Sequence, residues 1–339
     1  MRPSVSPSRT AGRSGPARRM AAALALFLAP LFLCQCAAPR GPSQPAPCMN
    51  PDNSTWTCRD GKVLPFTQWP GAPARPRAVL ICAHGLSGAA SDFWPVGESF
   101  PEHGFAVYAM ELRGQGHDPD PKMRGDIRSA LQWRQDLLDF TGLVSQRHPG
   151  ASVFWFGESL GALIVTDAVA SIPAPHPTVA GMILTSPVVE FRSNLKLGFW
   201  KNLAVRTALV LCPARRISLE RLGNSEVQVT SQTTHRQQMQ RTPHYVKDFT
   251  LRLFAQIEKL VLHSGSDAAG IGTPALVLYT PNDPLTPREG VEKFFSRLAA
   301  KDKTSVFFPE SYHLILHDQE RARALQILLN WLKKRADLP

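Results

Sequence analysis

The chain has no apolar run long enough to cross a bilayer comfortably. Its longest, Met20 to Leu33, falls short of the roughly 18 residues a span requires. There is no His/Cys spacing of the kind that holds zinc, so no metal is expected. There is no internal repeat and no RNA- or DNA-binding motif. That last absence matters, because a formal charge of +11 over 339 residues would otherwise suggest a polyanionic partner. The excess is local. Arg2, Arg9, Arg13, Arg18 and Arg19 precede Leu33 with no acidic residue among them, and removing that leader takes away about half of it. Nucleic-acid binding is therefore not expected.

The basic stretch followed by a short apolar run has the parts of an export signal, and residues 1–36 are expected to be a signal peptide. Either Met1 or Met20 serves as its start. Leu33 followed by Cys36 resembles the lipobox of bacterial lipoproteins, which marks Cys36 as the candidate acylation site. Gln35 departs from the small residue usual there, and cleavage near Ala37-Ala38 or an uncleaved anchor are the other readings. An exported protein in the cell envelope, lipid-anchored or soluble, is the expectation. Residues 37–47 are rich in Pro, Gly and Ser, so 37–58 reads as a linker or N-terminal extension. Within it, Cys48 and Cys58 lie close enough in sequence to close a small disulfide loop in an oxidising compartment. Cys82 and Cys212 sit in apolar runs and are expected to be buried, inert thiols.

From residue 59 onward, apolar runs alternate with helical patterns. Buried strands are expected at 77–83, 104–110, 152–156, 179–185, 275–280 and 303–308, and helices at 128–147, 159–171, 289–299 and 318–334. Strands buried on both faces, alternating with helices, predict an α/β fold with a mostly parallel central sheet flanked by helices. The rhythm breaks over 189–265, which shows helical pieces and no clear strand. The core is thus expected at 59–188 and 266–336, with 189–265 as a helical cap.

Gly157-Glu158-Ser159-Leu160-Gly161 stands where a predicted strand meets a predicted helix. That context turns Gly-x-Ser-x-Gly into a nucleophile elbow, a turn so sharp that Gly157 and Gly161 must lack side chains. A serine hydroxyl needs a base, and the base needs an orienting acid. Asp283 lies in the loop after strand 275–280, and His313 in the loop after strand 303–308, in the chain order Ser, acid, His. Asp267 precedes its strand, at the wrong end of the sheet; His317 is expected to lie already in the last helix. His84-Gly85, after strand 77–83, turns the backbone so that the Leu86 N–H points inward. With the Leu160 N–H it supplies two donors for an oxyanion.

Several pieces in order, "DGKVLPFTQW", "HGLSG", "MELRGQGHD", "GESLG", "NDP" and "YHLILHD", resemble the α/β-hydrolases of the monoacylglycerol lipase and lysophospholipase group, also called serine aminopeptidase-like hydrolases. The likeness covers about 60–335. Glu111 and Asp118 stand where the group's Asp-x-Arg-Gly-x-Gly-x-Ser loop has Asp and Ser, and Ala162 replaces the second glycine after the elbow. The resemblance implies Ser159 as nucleophile, His313 as base and Asp283 as its partner, with no cofactor. It also implies that 189–265 is the group's cap, in which 197–213, with Leu197, Phe199, Trp200, Leu203 and Leu211, suits an acyl chain. The cap holds more than twice as many Arg and Lys as Asp and Glu, which suits either an anionic surface or a solvated face. The expected substrate is a single-chain lipid ester, with a membrane surface as a partner. A small-ester carboxylesterase, thioesterase or aminopeptidase on the same scaffold is the alternative, and a non-catalytic envelope binding protein is the reading from another class. An aminopeptidase would need an acidic cluster for the substrate amine.

Overall fold

The computed structural model describes residues 45–172, 179–193, 198–218 and 227–336. The expected signal peptide and Cys36 lie outside these residues.

The central sheet has nine strands: β1 (Cys48–Met49), β2 (Thr55–Thr57), β3 (Val63–Gln68), β4 (Ala78–Ala83), β5 (Phe105–Met110), β6 (Ser152–Glu158), β7 (Gly181–Thr185), β10 (Ala275–Tyr279) and β11 (Lys303–Phe307). Their order is β1-β2-β3-β5-β4-β6-β7-β10-β11; β4 through β7, β10 and β11 run parallel, whereas β1, β2 and β3 are antiparallel to their neighbours. Strands β4, β5, β7 and β10 are buried at every position. They read as continuous apolar runs because helices cover both faces. Val79, Ile81 and Ala83 point into one core with α2 (Ala130–Arg147), α3 (Leu160–Ser171), α6 (Leu251–Asp267) and α7 (Arg288–Arg297). Ala78, Leu80 and Cys82 point into the other, with α1 (Trp94–Ser99) and α8 (Arg321–Ala336).

All six expected strands and all four expected helices are present. Several boundaries differ from expectation, each for a physical reason. The presumed linker 37–58 includes β1 and β2, which extend the sheet and bury Trp56 completely. Cys48 and Cys58 are separate thiols, not a disulfide. Cys48 pairs in register with Thr57, so Cys58, one residue on, faces the opposite side of the sheet. Cys58 is buried, and burial followed by the charge of Asp136 pushes its pKa far up. Cys82 is buried as expected, but Cys212 is exposed at the end of α4 (Phe199–Leu211). The region read as strandless holds an antiparallel pair, β8 (Arg216–Ser218) and β9 (Asp248–Thr250). The expected cap limit at 265 falls inside α6, whose Leu253, Ile257 and Leu260 pack in the core against α3. His317 ends a 3-10 turn that precedes α8.

The loop after β5, the group-specific piece, is a buried polar clasp. Arg113 is pinned by Asp136 (Nε to Oδ2 2.9 Å, Nη2 to Oδ1 2.8 Å) and by Asp60 (Nη1 to Oδ2 2.7 Å). Its carbonyl accepts from Trp133 Nε1 at 2.8 Å. Asp118, at the usual serine position, accepts from Gly114 N–H and Lys62 Nζ, both at 2.7 Å. The loop is thereby tied to the residues before β3 and to α2. Arg113→Ala would leave Asp136 buried without its cation, and a loss of about 3–5 kcal/mol is expected from urea unfolding. A loss below about 1 kcal/mol would show that the clasp is dispensable.

Candidate active site

The sheet order places the site. The chain leaves β4 toward β5 on one side and returns to β6 on the other, so the loops after β4 and β6 open into one crevice. Ala83 and Gly157 are register partners at that edge. Ser159 follows immediately, with φ 54° and ψ −111°, a left-handed conformation costly for a residue with a side chain. A Cβ on Gly157 would collide with Gly161 and Ala162, and one on Gly161 with Ala83. Both glycines are therefore required by close backbone approach, as the sequence indicated. The strained turn is anchored by Ser159 N–H donating to Thr185 O at 3.0 Å.

The three side chains inferred from chain order meet here. Ser159 Oγ donates to His313 Nε2 at 2.9 Å, and His313 Nδ1 donates to Asp283 Oδ2 at 2.8 Å. The other carboxylate oxygen of Asp283 accepts the N–H groups of Leu285 (2.8 Å) and Thr286 (3.1 Å). All three residues are buried. Burial alone would lower the His313 pKa, but the charge of Asp283 and its hydrogen bond, with a contribution from Glu158, raise it above the ordinary imidazole value. Leu160 follows Ser159 in the chain, and Leu86 lines the same cavity as the serine. Among the described residues neither backbone N–H has an acceptor. Gly85 packs against Ser159, where a Cβ would stand 3.3 Å from the serine Cβ.

Other residues at the site tie its loops together. His84 is fully buried; its Nδ1 donates to Gly85 O at 2.8 Å and its Nε2 accepts the Leu112 N–H at 3.0 Å. Glu111 accepts from Ala90 N–H (3.1 Å) and His117 N–H (2.8 Å), buckling the loops after β4 and β5 together. Asp318 accepts from Tyr312 N–H (2.8 Å) and Ser231 N–H (2.9 Å), joining the histidine loop to the cap. These bonds link loops distant in sequence, so only the fold brings them to light. Among the described residues, no three His, Cys, Asp or Glu side chains gather as metal ligands would.

The triad opens into a cavity of about 470 Å³. Its apolar wall includes Leu86, Val227, Val229, Leu285 and Leu314; Asp92, Glu158 and Arg192 are its acidic and basic residues, and His235, the first residue of α5 (His235–Arg241), and Tyr245 come from the 189–265 region. The expected acyl-lining segment is placed differently. From α4, no described residue lines this cavity; Trp200, Val210 and Leu211 are instead 77%, 80% and 73% exposed. Leu197 and the Phe199 side chain lie outside the described residues.

Residues 74–320 match the sequence profile of the family described as "Serine aminopeptidase, S33". The chain belongs to this family of hydrolases. It is 25% identical over 262 residues to a monoacylglycerol lipase of Mycolicibacterium smegmatis, covering 76% of this chain and 88% of that one. It is 25% identical over 254 residues to phospholipase YtpA of Bacillus subtilis, covering 75% and 94%. Among solved structures, the monoacylglycerol lipase of Paleococcus ferrophilus superimposes with a TM-score of 0.68 at 22% identity, covering 80% of this chain and 99% of that chain. The protein is an α/β-hydrolase of the lipase/esterase type.

The pH dependence follows from His313. The imidazole must be neutral to take the serine proton, so activity should rise with pH through a midpoint above about 6.5. Asp283→Asn removes both the raising charge and the tautomer control. A fall in kcat of roughly 10³–10⁴-fold is expected, with the midpoint of any residual activity moved down. An unmoved midpoint would show that Asp283 does not govern the histidine.

Proposed function

We propose that this protein is a serine hydrolase that cleaves carboxylic esters of single-chain lipids, monoacylglycerols or lysophospholipids, through an acyl-enzyme on Ser159. One observation carries the reading: the hydrogen-bonded Ser159–His313–Asp283 chain opens into a largely apolar cavity beneath a cap. Ser159 Oγ attacks the ester carbonyl while His313 takes its proton. The tetrahedral oxyanion is met by the N–H groups of Leu86 and Leu160, each worth a few kcal/mol in the transition state. His313 then protonates the departing alcohol, and the acyl group remains on Ser159. A water deprotonated by His313 attacks the acyl carbonyl, the free acid leaves, and the proton returns to Ser159.

Two further facts support a lipid substrate. The cap helix α4 turns Trp200, Val210 and Leu211 outward beside Lys201 and Arg206, a surface suited to a lipid–water interface. The relatives named above are a monoacylglycerol lipase and a phospholipase. The aminopeptidase alternative is less well served. Asp92 accepts the Ala89 N–H at 2.8 Å and faces His244, so its charge is already engaged, and the cap is basic.

The test is a substrate panel: a monoacylglycerol, a lysophospholipid, p-nitrophenyl esters of increasing chain length, and an amino-acid p-nitroanilide. Turnover of the long single-chain esters is expected, with none of the anilide. Ser159→Ala should reduce it by about 10⁴-fold or more. Preference for acetyl esters over long chains, or turnover of the anilide, would overturn the lipid-ester reading.

A further inference from the structure

The chain that leaves β7 for the cap touches all three loops of the triad within eight residues. Thr185 O receives the Ser159 N–H at 3.0 Å. Next in sequence, Ser186 Oγ donates to His313 O at 2.6 Å, while its own N–H donates to Leu278 O at 2.9 Å. Ser186 is fully buried and held at φ 45°, a left-handed geometry that a serine adopts only when its surroundings enforce it. Six residues on, Arg192 reaches the acid loop. Its N–H donates to Leu285 O at 2.9 Å, its Nε to Asp283 O at 2.6 Å and its Nη2 to Pro281 O at 3.0 Å.

Two features set Arg192 apart from a surface arginine. Among the described residues no carboxylate pairs with it, so its charge is applied to backbone carbonyls of the acid loop. Asp283 is thereby gripped at both ends, its carboxylate by the Leu285 and Thr286 N–H groups and its carbonyl by the guanidinium. Arg192 also lines the cavity at the root of the cap, so a substrate filling that cavity lies against the group that holds the acid in place.

We propose that Arg192 is a positioning residue for the triad, acting with Ser186 to fix the acid and histidine loops against the serine from the cap's root. The inference rests on the serine-hydrolase reading above. Its physical basis is geometric: a displacement of about 1 Å at a reacting group can cost on the order of 10²-fold in rate. The guanidinium fork spans two carbonyls, which a lysine ammonium on a flexible stem does not reproduce.

The experiment compares the wild type with Arg192→Ala, Arg192→Lys and Ser186→Ala. The readouts are kcat and KM on a p-nitrophenyl ester, labelling rate by a fluorophosphonate, and thermal midpoint. For Arg192→Ala, kcat and labelling rate should fall by roughly 10- to 100-fold with KM changed by less than about 3-fold and the thermal midpoint retained. Millimolar guanidinium ion added to Arg192→Ala should restore part of kcat, with no effect on the wild type. Arg192→Lys should recover little, and Ser186→Ala should also lower kcat more than it changes KM. Wild-type labelling with unchanged kcat in Arg192→Ala would overturn the positioning role and leave the hydrolase reading standing. So would a parallel loss of kcat and thermal midpoint without guanidinium rescue. A wild type that neither labels nor turns over the ester would overturn both.

Discussion

The close approach of two backbones, Gly161 against Ala83, is the constraint from which the site is built. It exists because β4 and β6 are neighbours in the sheet although β5 separates them in sequence. No side chain fits at 161, and none fits at 157, so the chain can turn within a few residues and lift Ser159 off the end of β6. The left-handed backbone of Ser159 is unfavourable by itself; the bond to Thr185 O and the packing of α3 hold it. The same approach brings the loop after β4 beside the serine, with Gly85 packed against Ser159. Loosen this contact and Ser159 loses both its orientation and the packing of the loop after β4 against it.

Around that point the loops are cross-linked by polar bonds rather than by apolar packing. Glu111 joins the loops after β4 and β5, Asp318 joins the histidine loop to the cap, and Arg192 and Ser186 join the cap root to the acid and histidine loops. Hydrogen bonds suit this task because they specify direction, whereas apolar contact specifies only proximity. The cap is thus fastened to the machinery through its root and through residues 227–234. In helix α4, by contrast, Trp200, Leu203, Val205, Val210 and Leu211 are exposed.

Much of the architecture was legible from residue pattern. Strands such as β4 and β5, buried on both faces, appear as unbroken apolar runs and were placed to within a residue or two. The triad was legible because loop position after a strand is itself geometric information. What escaped notice has identifiable causes. Strand β3 alternates in burial and contains Pro65, and β1, β8 and β9 span only two or three residues. The apolar density of 197–213 suits an acyl chain but does not say which way its side chains turn, and Trp200, Val210 and Leu211 of α4 are exposed rather than lining the cavity. Cys48 and Cys58 looked paired by spacing, yet the strand register sends them to opposite faces. Arg192 and Ser186 bind backbone carbonyls, which every residue has, so no sequence pattern marks them.

The claim that binds these observations is that Ser159 itself accepts the acyl group. Acid-quenched enzyme, taken during turnover of a long-chain p-nitrophenyl ester and digested for peptide mass spectrometry, tests it most directly. The account predicts an acyl adduct on the peptide containing Ser159, absent from Ser159→Ala. Full turnover by Ser159→Ala, or an adduct confined to another residue, would contradict it.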